Sequence, residues 1–483
     1  MKKSKLFEFL LKTPERVMCV TAIFIFAVAG CELTIPPPPP PADSVTAEAA
    51  APDAVRRVRV SAEGVNSAEP SVAAADGGAV YVAWVGHGAG READVWLARF
   101  DREGKRETEP ARVNPEAGGA AAWRGDPPVV AVADDGTVYV SWTARAAPTG
   151  HATTLYLSAS RDGGRSFDPP VKVNDDTAAC VHGMHSLAVG RGGRVYLAWL
   201  DERNLVQHGA HKNHGGAAKG ADAKGADAKG GPAKGEGAKG GAAKGDGGAG
   251  AKKASGGMHG ERNREVFFAA SSDGGRTFSR NRLVASEACP CCKTALAVSE
   301  GGRVHLGWRQ VLPGDYRHIA VASSEDGGET FGVPVVVSDD RWELSGCPVS
   351  GPALAAGEGG SLRVLWFTAG EAGQPGLYTS ESGDGGRTFA PRRLVKDGNL
   401  RGTPMLLRDE RGGPFAVFEG AGDSGTNGLW RAGLGGAGGA APVAGGESAS
   451  AAFRAGRLNV AYVAQGGVWL ALPEGGKAGA GSD

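Results

Sequence analysis

The sequence SRDGGRSF at residues 160–167 recurs as SSDGGRTF at 271–278, SEDGGETF at 324–331 and SGDGGRTF at 382–389. We call these four segments the DGG turns. In each copy the aspartate can accept hydrogen bonds from N–H groups of its own turn, and the second glycine can take a positive φ. The phenylalanine that ends each copy can hold the turn between strands. The pattern predicts a structural role for the four aspartates, Asp162, Asp273, Asp326 and Asp384.

A strand-like segment with period-two alternation precedes each DGG turn. It reads AVYVAW at 79–84, TVYVSW at 137–142, RVYLAW at 194–199, RVHLGW at 303–308 and LRVLW at 362–366, with weaker copies PFAVF at 414–418 and LNVAY at 458–462. All seven copies end in an aromatic residue, so each occupies the same place in a repeat. A repeat of roughly 45–58 residues with four strands is typical of a β-propeller blade.

The repeats therefore predict an all-β fold, a β-propeller of four-stranded blades, with seven blades favoured and six as the alternative. The copies start near Glu69, Pro127, His185, Lys293, Pro352, Thr403 and Ala449. The last copy has only three strands. The segment RRVRV at 56–60 can supply its missing outer strand, which would close the ring and remove an exposed edge.

The DGG turns resemble the Asp box, S-x-D-x-G-x-[ST]-[WF], of the sialidase (BNR repeat) superfamily. Three cysteine-bearing segments, at 180–185, 289–292 and 346–348, are also similar to segments of sialidase-like bacterial lipoproteins. The resemblance implies a sialidase-like propeller over residues 55–474. It does not carry over the sialidase active site: the Arg-Ile-Pro motif, the arginine triad and the late tyrosine nucleophile are not recognisable. Only Tyr316 lies in a candidate loop, and it lies in the fourth repeat.

The N-terminal region predicts export and lipid anchoring. Basic residues precede an apolar run at 17–29 that is shorter than the roughly 20 residues needed to span a bilayer. The run ends in VAGC at 28–31, which resembles a lipobox. It indicates a signal peptide at 1–30 and an acylated Cys31; an ordinary signal peptide is the alternative. A Pro/Ala-rich tether follows at 31–54, and a flexible tail is expected at 475–483. The expected location is extracytoplasmic, in the periplasm or at the cell surface.

Composition limits the partners. Lys+Arg and Asp+Glu balance at 53 each, so no global field attracts nucleic acid, and nucleic-acid binding is not expected. A monomer is expected. The Ala/Lys/Gly tract at 215–257 has few apolar groups to bury and predicts a disordered insertion in the third repeat. Three histidines precede it, which either bind a metal or are simply solvated. They are His208, His211 and His214.

Cysteines mark the loops that lead into three successive repeats. The segments are CVHGMH at 180–185, CPCC at 289–292 and GCP at 346–348. Since the repeats are neighbours, we expect the thiols to cluster near the central channel. Structural disulfides are one reading for an oxidising compartment. A copper or zinc site is another, and a nucleophilic cysteine a third. The candidate metal ligands are Cys180, His182, His185, Cys289, Cys291, Cys292 and Cys347.

The loops that lead into the repeats, and those that join second to third strands, are expected to share one face of the propeller. They carry charged and aromatic residues suited to an anionic or sugar-like ligand. The candidate ligand-binding residues are Arg124, Arg203, Arg309, Arg317 and Trp342. The candidate catalytic residues are Asp126, Glu202, Asp315 and Tyr316. Three functions stay open: recognition of a glycan, peptide or envelope protein, glycoside hydrolysis or lysis by a non-sialidase set such as Asp126 and Glu202, and copper or zinc handling. Enzymatic activity is undecided at this point.

Overall fold

The computed structural model describes residues 55–121, 125–147, 150–205, 262–422, 425–435 and 439–473. Several predicted features lie outside these residues. They are the signal peptide, Cys31, the tether, Arg124, the three histidines at 208, 211 and 214, the tract at 215–257 and the tail at 475–483. Among the described residues, no helix has the length and apolar character needed to cross a membrane.

The described residues are nearly all β, as predicted. In chain order the strands are β1 Val55–Arg59, β2 Ser67–Ala74, β3 Val80–His87, β4 Ala93–Phe100, β5 Ala111–Arg112, β6 Val129–Val132, β7 Val138–Arg145, β8 Thr153–Ser160, β9 Val171–Lys172, β10 His182–Gly190, β11 Arg194–Asp201, β12 Arg264–Ser271, β13 Arg282–Ala288, β14 Ala295–Val298, β15 Val304–Leu312, β16 Tyr316–Ser324, β17 Val335–Val336, β18 Ala353–Ala356, β19 Leu362–Thr368, β20 Gly376–Ser382, β21 Arg393–Asp397, β22 Leu400–Arg408, β23 Pro414–Ala421, β24 Asn427–Gly433, β25 Ala441–Ala444, β26 Glu447–Arg454, β27 Arg457–Ala464 and β28 Gly467–Pro473. Two 3₁₀ turns, Arg191–Gly193 and Glu358–Gly360, join strands.

The strands pair antiparallel in simple up-and-down order. Within the described ranges they form five four-stranded sheets and one eight-stranded sheet. The four-stranded sheets are β2–β5, β6–β9, β18–β21, β22–β25 and β1-β28-β27-β26. In the eight-stranded sheet, β10–β13 and β14–β17 each follow the same order, and a single pair, Ala288 with Gln310, joins β13 to β15. Strand β1 pairs along its length with β28, so the first strand completes the last sheet.

Apolar clusters fill the space between successive sheets. The repeated second strands supply the largest buried side chains, among them Trp142, Trp199, Trp308 and Trp366. One cluster joins the first and last sheets: Val72 of β2 and Val82 of β3 pack with Leu470 of β28. This explains why the repeated second strands are apolar on both faces, since each of them is covered by a neighbouring sheet on either side.

Each DGG turn is held by its own side chains. In the first copy, Asp162 accepts hydrogen bonds from the N–H groups of Arg165 and Ser166, both at 3.0 Å, and from Ser160 Oγ at 2.8 Å. A hydrogen bond from the Ser166 hydroxyl contributes most to lowering the pKa of Asp162 to about 2. Gly164 takes φ 87°. The second and fourth copies repeat both backbone contacts, and the third repeats the one from the N–H of Thr330 to Asp326. The turns contribute no residue to either cavity described below.

The glycine of the third DGG turn gives a stability prediction. The φ of Gly328 is 94°. A Cβ built at Gly328 would lie 2.2 Å from Cε1 of Phe268, which belongs to β12. The ring cannot withdraw, because Phe268 is buried and packs edge-on against Phe331 at 5.0 Å. We expect Gly328→Ala to lower the unfolding free energy by about 1–3 kcal/mol through overpacking, in addition to the cost of its φ. Chemical denaturation measures the effect.

Gly302 is the matched control. It also has positive φ, 82°, but a Cβ there would meet no atom within 4 Å. Gly302→Ala therefore carries only the backbone cost. Equal losses in the two variants would contradict the role assigned to the Phe268 contact.

Candidate functional site

A cavity of about 700 Å³ opens where the first strands of the sheets begin. Residues of β2, β22, β23 and β26, and residues at or just before the starts of β6, β14 and β18, form its wall, whereas β10 contributes none. We call it the central cavity. The main polar residues in its lining are Glu69, Lys293, Arg401, Thr403, Glu419 and Ser448.

Backbone irregularities shape this lining. The register between β2 and β3 shifts between Ala68 and Ser71, and that between β26 and β27 shifts between Glu447 and Ser450. At both bulges a non-glycine residue has positive φ: Glu69 at 48° and Ser448 at 52°. Such bulges cost free energy and re-aim side chains, and they are frequent near functional sites. Here they bring these residues into the wall of the central cavity.

Hydroxyl groups join neighbouring first strands around the cavity. Ser71 accepts from the N–H of Val130, and Ser450 accepts from the N–H of Val72, each at 3.1 Å. Thr403 accepts from the N–H of Gly351 at 3.2 Å. Because each hydroxyl here acts as an acceptor, its own proton stays available for donation.

Lys293 is the least ordinary residue of the central cavity. Its ammonium has no hydrogen bond or ion pair with any residue in the described parts of the chain. Burial lowers its pKa to about 8, and the charge of Asp126 only partly opposes this shift. The carboxylates nearby are already engaged: Glu69 contacts His87 at 2.7 Å, and Glu419 accepts from the N–H of Ser448 at 2.8 Å. A half-buried cation that lines a cavity and makes no direct contact with a carboxylate of the described residues indicates a binding site for an anion.

A second cavity, of about 500 Å³, adjoins the first through Cys291. It holds two of the predicted catalytic residues, Asp126 and Glu202, and both are paired within the protein. Asp126 is buried and accepts from His185 Nδ1 at 2.9 Å. Burial alone would raise the pKa of Asp126, but the charge and hydrogen bonds of His185 outweigh it and lower the pKa. Glu202 accepts from Arg264 Nε at 2.8 Å.

The other two predicted catalytic residues lie elsewhere. Asp315 occupies the turn between β15 and β16 with φ 60°, and Tyr316 follows it with 38% of its surface exposed. Neither residue contributes to the two cavities. The structure therefore does not bring Asp126, Glu202, Asp315 and Tyr316 together around one ligand.

The three predicted ligand-binding arginines that the structure describes, Arg203, Arg309 and Arg317, are buried and make internal contacts. Arg203 pairs with Asp201 at 2.8 Å and with Asp175 at 2.7 Å. Arg309 is fully buried and donates to the carbonyls of Ser350 and Phe367, both at 2.9 Å.

The remaining two of these candidates are also internal. Arg317 donates to Leu344 O at 3.2 Å. Trp342 is 7% exposed and lies beneath the Arg309 guanidinium at 5.0 Å. Their contact with a ligand stays a prediction, and these residues line neither cavity. The reason is that strand ends carry both inward and outward positions, and the sequence does not separate them.

The candidate metal ligands do not converge on one point. Among the described residues, two separate groups have ligand atoms within 4.8 Å of one another. One group is Asp176, Cys180 and His182; the other is Cys289, Cys291 and Cys347. His185 belongs to neither, since it pairs with Asp126. The expected single cluster of thiols is therefore divided.

The first group is poorly suited to a cation. Arg203 Nη2 lies 3.5 Å from Asp176 Oδ1 and already supplies a positive charge there. Burial and the surrounding carboxylates raise the pKa of Cys180 to about 12, so its thiol stays protonated. A metal would have to displace that proton and tolerate the guanidinium.

The second group contains a disulfide. Cys291 is bonded to Cys347, with Cα atoms 6.1 Å apart, within the usual range for such a bond. Cys289 and Cys292 are free and buried. Only two thiols are then available as metal ligands, so a four-coordinate copper or zinc site would first require reduction of the disulfide.

Lys293 and the two glutamates at 69 and 419 were not among the predicted site residues. The available signal was position: Lys293 directly follows CPCC, at the point where a repeat begins, and it is the only lysine or arginine among the seven starting residues. Arg401 lies two residues before Thr403, where the sixth repeat starts. Its exposed guanidinium is the second cation of the central cavity.

Comparisons with known proteins give only distant similarities. No protein-family model and no curated protein sequence matches the chain. Its structure is similar to that of a protein of unknown function from Dyadobacter fermentans, with 15% identity, 79% of this chain and 99% of that chain covered, and a TM-score of 0.43. The Hadza microbial sialidase Hz136 matches at 14% identity, 79% and 74% coverage and TM-score 0.43. A PL25 ulvan lyase matches at 13% identity, with 75% of this chain and 78% of that chain covered and a TM-score of 0.45. At such low identities and TM-scores, none of these similarities assigns an activity to this chain.

Proposed function

We propose that this chain is a lipid-anchored, extracytoplasmic, sialidase-like β-propeller of seven blades. The eight-stranded sheet counts as two blades, which gives seven with the five four-stranded sheets. Closure of the ring is supported by two contacts between the first and last sheets: the N–H of Val72 donates to Ser450, and Val72 packs in one cluster with Leu470. The anchor rests on the sequence of the lipobox at 28–31.

The function we propose is recognition of a carboxylate-bearing sugar in the central cavity. The observation that carries it is Lys293, which lines the cavity and makes no hydrogen bond or ion pair with another described residue, while the charge of Asp126 only partly offsets its burial. A bound carboxylate would supply that partner in a site of low dielectric, where the attraction is strong. Arg401, which is exposed at the same cavity, provides a second donor group.

A sugar fits the remaining chemistry better than a small inorganic anion. A volume of about 700 Å³ lies in the range of ordinary ligand pockets and far exceeds that of one ion. Glu69 and Glu419 can accept hydrogen bonds from sugar hydroxyls, and Thr403 can donate one. The cavity thus combines cations for one carboxylate with several groups for neutral hydroxyls.

The test is calorimetric titration of the full chain with glucuronate and, in parallel, with glucose. We expect glucuronate to bind and glucose to bind at least tenfold more weakly, because only the acid satisfies Lys293. Lys293→Met should weaken glucuronate binding by about 10- to 100-fold, since a charged hydrogen bond contributes roughly 1.5–3 kcal/mol. Affinity should also fall as pH rises above about 8, where the free protein loses the ammonium charge.

Lys105→Met is the control variant. Lys105 is an exposed lysine in a surface turn and does not line the cavity, so its replacement removes one positive charge without touching the site. Equal affinity for glucuronate and glucose, or unchanged binding in Lys293→Met, would count against the proposal.

A further inference from the structure

Four cysteines meet beside the two cavities. Cys289, Cys291 and Cys292 are buried in one apolar cluster, and Cys347 is exposed on the loop that precedes β18. Cys291 and Cys347 form a disulfide, while Cys289 and Cys292 are free thiols. The Sγ of Cys289 lies 3.7 Å from the Sγ of Cys291, so a free thiol faces one end of the disulfide.

The surroundings of Cys289 favour its thiolate. A hydrogen bond from the thiol of Cys292 contributes most to lowering its pKa, and the guanidinium groups of Arg309 and Arg317 act in the same direction against burial. The same burial keeps the pKa of Cys292 raised well above its usual value, so that residue remains a donor. Thiolates, not thiols, attack disulfides.

We propose that Cys289, Cys291, Cys292 and Cys347 form a thiol–disulfide exchange centre that communicates with external thiols through Cys347. In the internal step the Cys289 thiolate attacks Cys291 Sγ. A bond forms between Cys289 and Cys291, and the bond between Cys291 and Cys347 breaks. Cys347 leaves as a thiolate at the surface, where it takes up a proton from water. The number of disulfides is unchanged, so the step needs no oxidant or reductant.

The difference in solvent exposure among the four cysteines indicates which of them an external thiol can reach. The Cys291–Cys347 disulfide is exposed mainly at Cys347, since Cys291 lines the two cavities with only 6% of its surface exposed, and Cys289 and Cys292 are enclosed in the core. An external dithiol or disulfide would therefore react at Cys347. The internal exchange step would then transfer the disulfide between Cys347 and the buried Cys289, with Cys291 as the shared partner. The proposal is independent of sugar binding in the central cavity, because Lys293 takes no part in it.

The experiment follows Cys347 in the purified full chain, kept anaerobic and without reductant. The protein is labelled with N-ethylmaleimide at pH 7, digested, and analysed by mass spectrometry. In the wild type we expect label to accumulate on Cys347, together with a peptide spanning 283–293 that carries an internal disulfide. In Cys289→Ser the thiol that faces Cys291 is removed and the remaining thiol, Cys292, stays protonated, so label on Cys347 should appear at least tenfold more slowly.

Cys180→Ser is the matched control. Cys180 is also a buried free thiol, but it lies in the other ligand group and should leave the labelling of Cys347 unchanged. Thermal unfolding of each variant verifies its fold.

Cys292→Ala provides a second variant if Cys289→Ser does not fold. It keeps the attacking thiol and removes the donor that favours the thiolate, so exchange should slow severalfold at pH 6.5 and much less at pH 9. Unlabelled Cys347 in the wild type, or equal labelling with and without Cys289, would overturn the proposal. Four reduced thiols with stoichiometric copper or zinc in the purified protein would overturn it as well and identify a metal site instead.

Discussion

Replacing Asp126 with alanine is expected to lower the free energy of unfolding by about 3–5 kcal/mol, because it removes the charged acceptor of two buried hydrogen bonds. The Asp126 carboxylate accepts from the N–H of His185 at 3.1 Å and from its Nδ1 at 2.9 Å, and both residues are buried. Without it, two donors lose their acceptor in the core. Urea denaturation at pH 7, followed by tryptophan fluorescence, measures the loss.

Asp134→Ala is the control for this change. Asp134 is exposed and lies near the start of the turn that follows β6, so its removal should shift the urea midpoint little. Asp126→Asn should fall between the two, since it keeps the shape of the side chain and loses the charge. The assignment of Asp126 as a structural partner of His185 would fail if Asp126→Ala and Asp134→Ala had the same midpoint.

Replacing Lys293 with methionine is expected to have the opposite sign and to stabilise the fold by up to about 3 kcal/mol at pH 7. Burial lowers the pKa of Lys293 to about 8 from the ordinary value of 10.5, so the folded protein holds a charge that it disfavours. Methionine has a similar length and no charge. Thermal and urea unfolding should both show the gain.

The gain depends on pH in a defined window. Below about pH 8 both the folded and unfolded wild type carry the ammonium, and its full cost is present. Between about 8 and 10.5 the unfolded chain binds more protons than the folded one, so the stability of the wild type rises with pH. The advantage of Lys293→Met should therefore shrink across this window and disappear above it. An advantage that stays constant from pH 7 to pH 11 would contradict a buried ammonium.

Taken together, the two lysine experiments separate stability from binding. If Lys293 is retained for an anionic ligand, one substitution should stabilise the empty protein and weaken its binding of glucuronate. A stability cost at a binding site is common, because the groups that face a ligand are left without partners in its absence. If Lys293 had a purely structural role, its replacement would destabilise the protein.

The strand pattern and the turns could be predicted from the sequence because their causes are local. A DGG turn depends on one aspartate, its own backbone N–H groups and a glycine at positive φ, all within eight residues. The aromatic end of each second strand, such as Trp142 or Trp308, repeats at a fixed place and becomes a core residue in every copy. Local chemistry of this kind is repeated along the chain, so the repeat itself reveals it.

The site depended on which strand ends face inward, and only the tertiary structure decided that. Arg309 and Trp342 carry the residue types of a binding site, yet they are buried against each other. Lys293 was recognised only as the start of a repeat, yet it lines the central cavity.

The sequence by itself determined the all-β repeat architecture, the DGG turns and the presence of cysteines in three neighbouring loops. The tertiary structure decided which thiols meet: Cys291 with Cys347 across 56 residues, beside Cys289, but apart from Cys180. Short-range hydrogen bonds and strand periodicity depend on residues that are close together in the sequence. The distance between two loops instead depends on how the sheets pack, and the bulges at Glu69 and Ser448 that bring side chains into the cavity depend on the same packing.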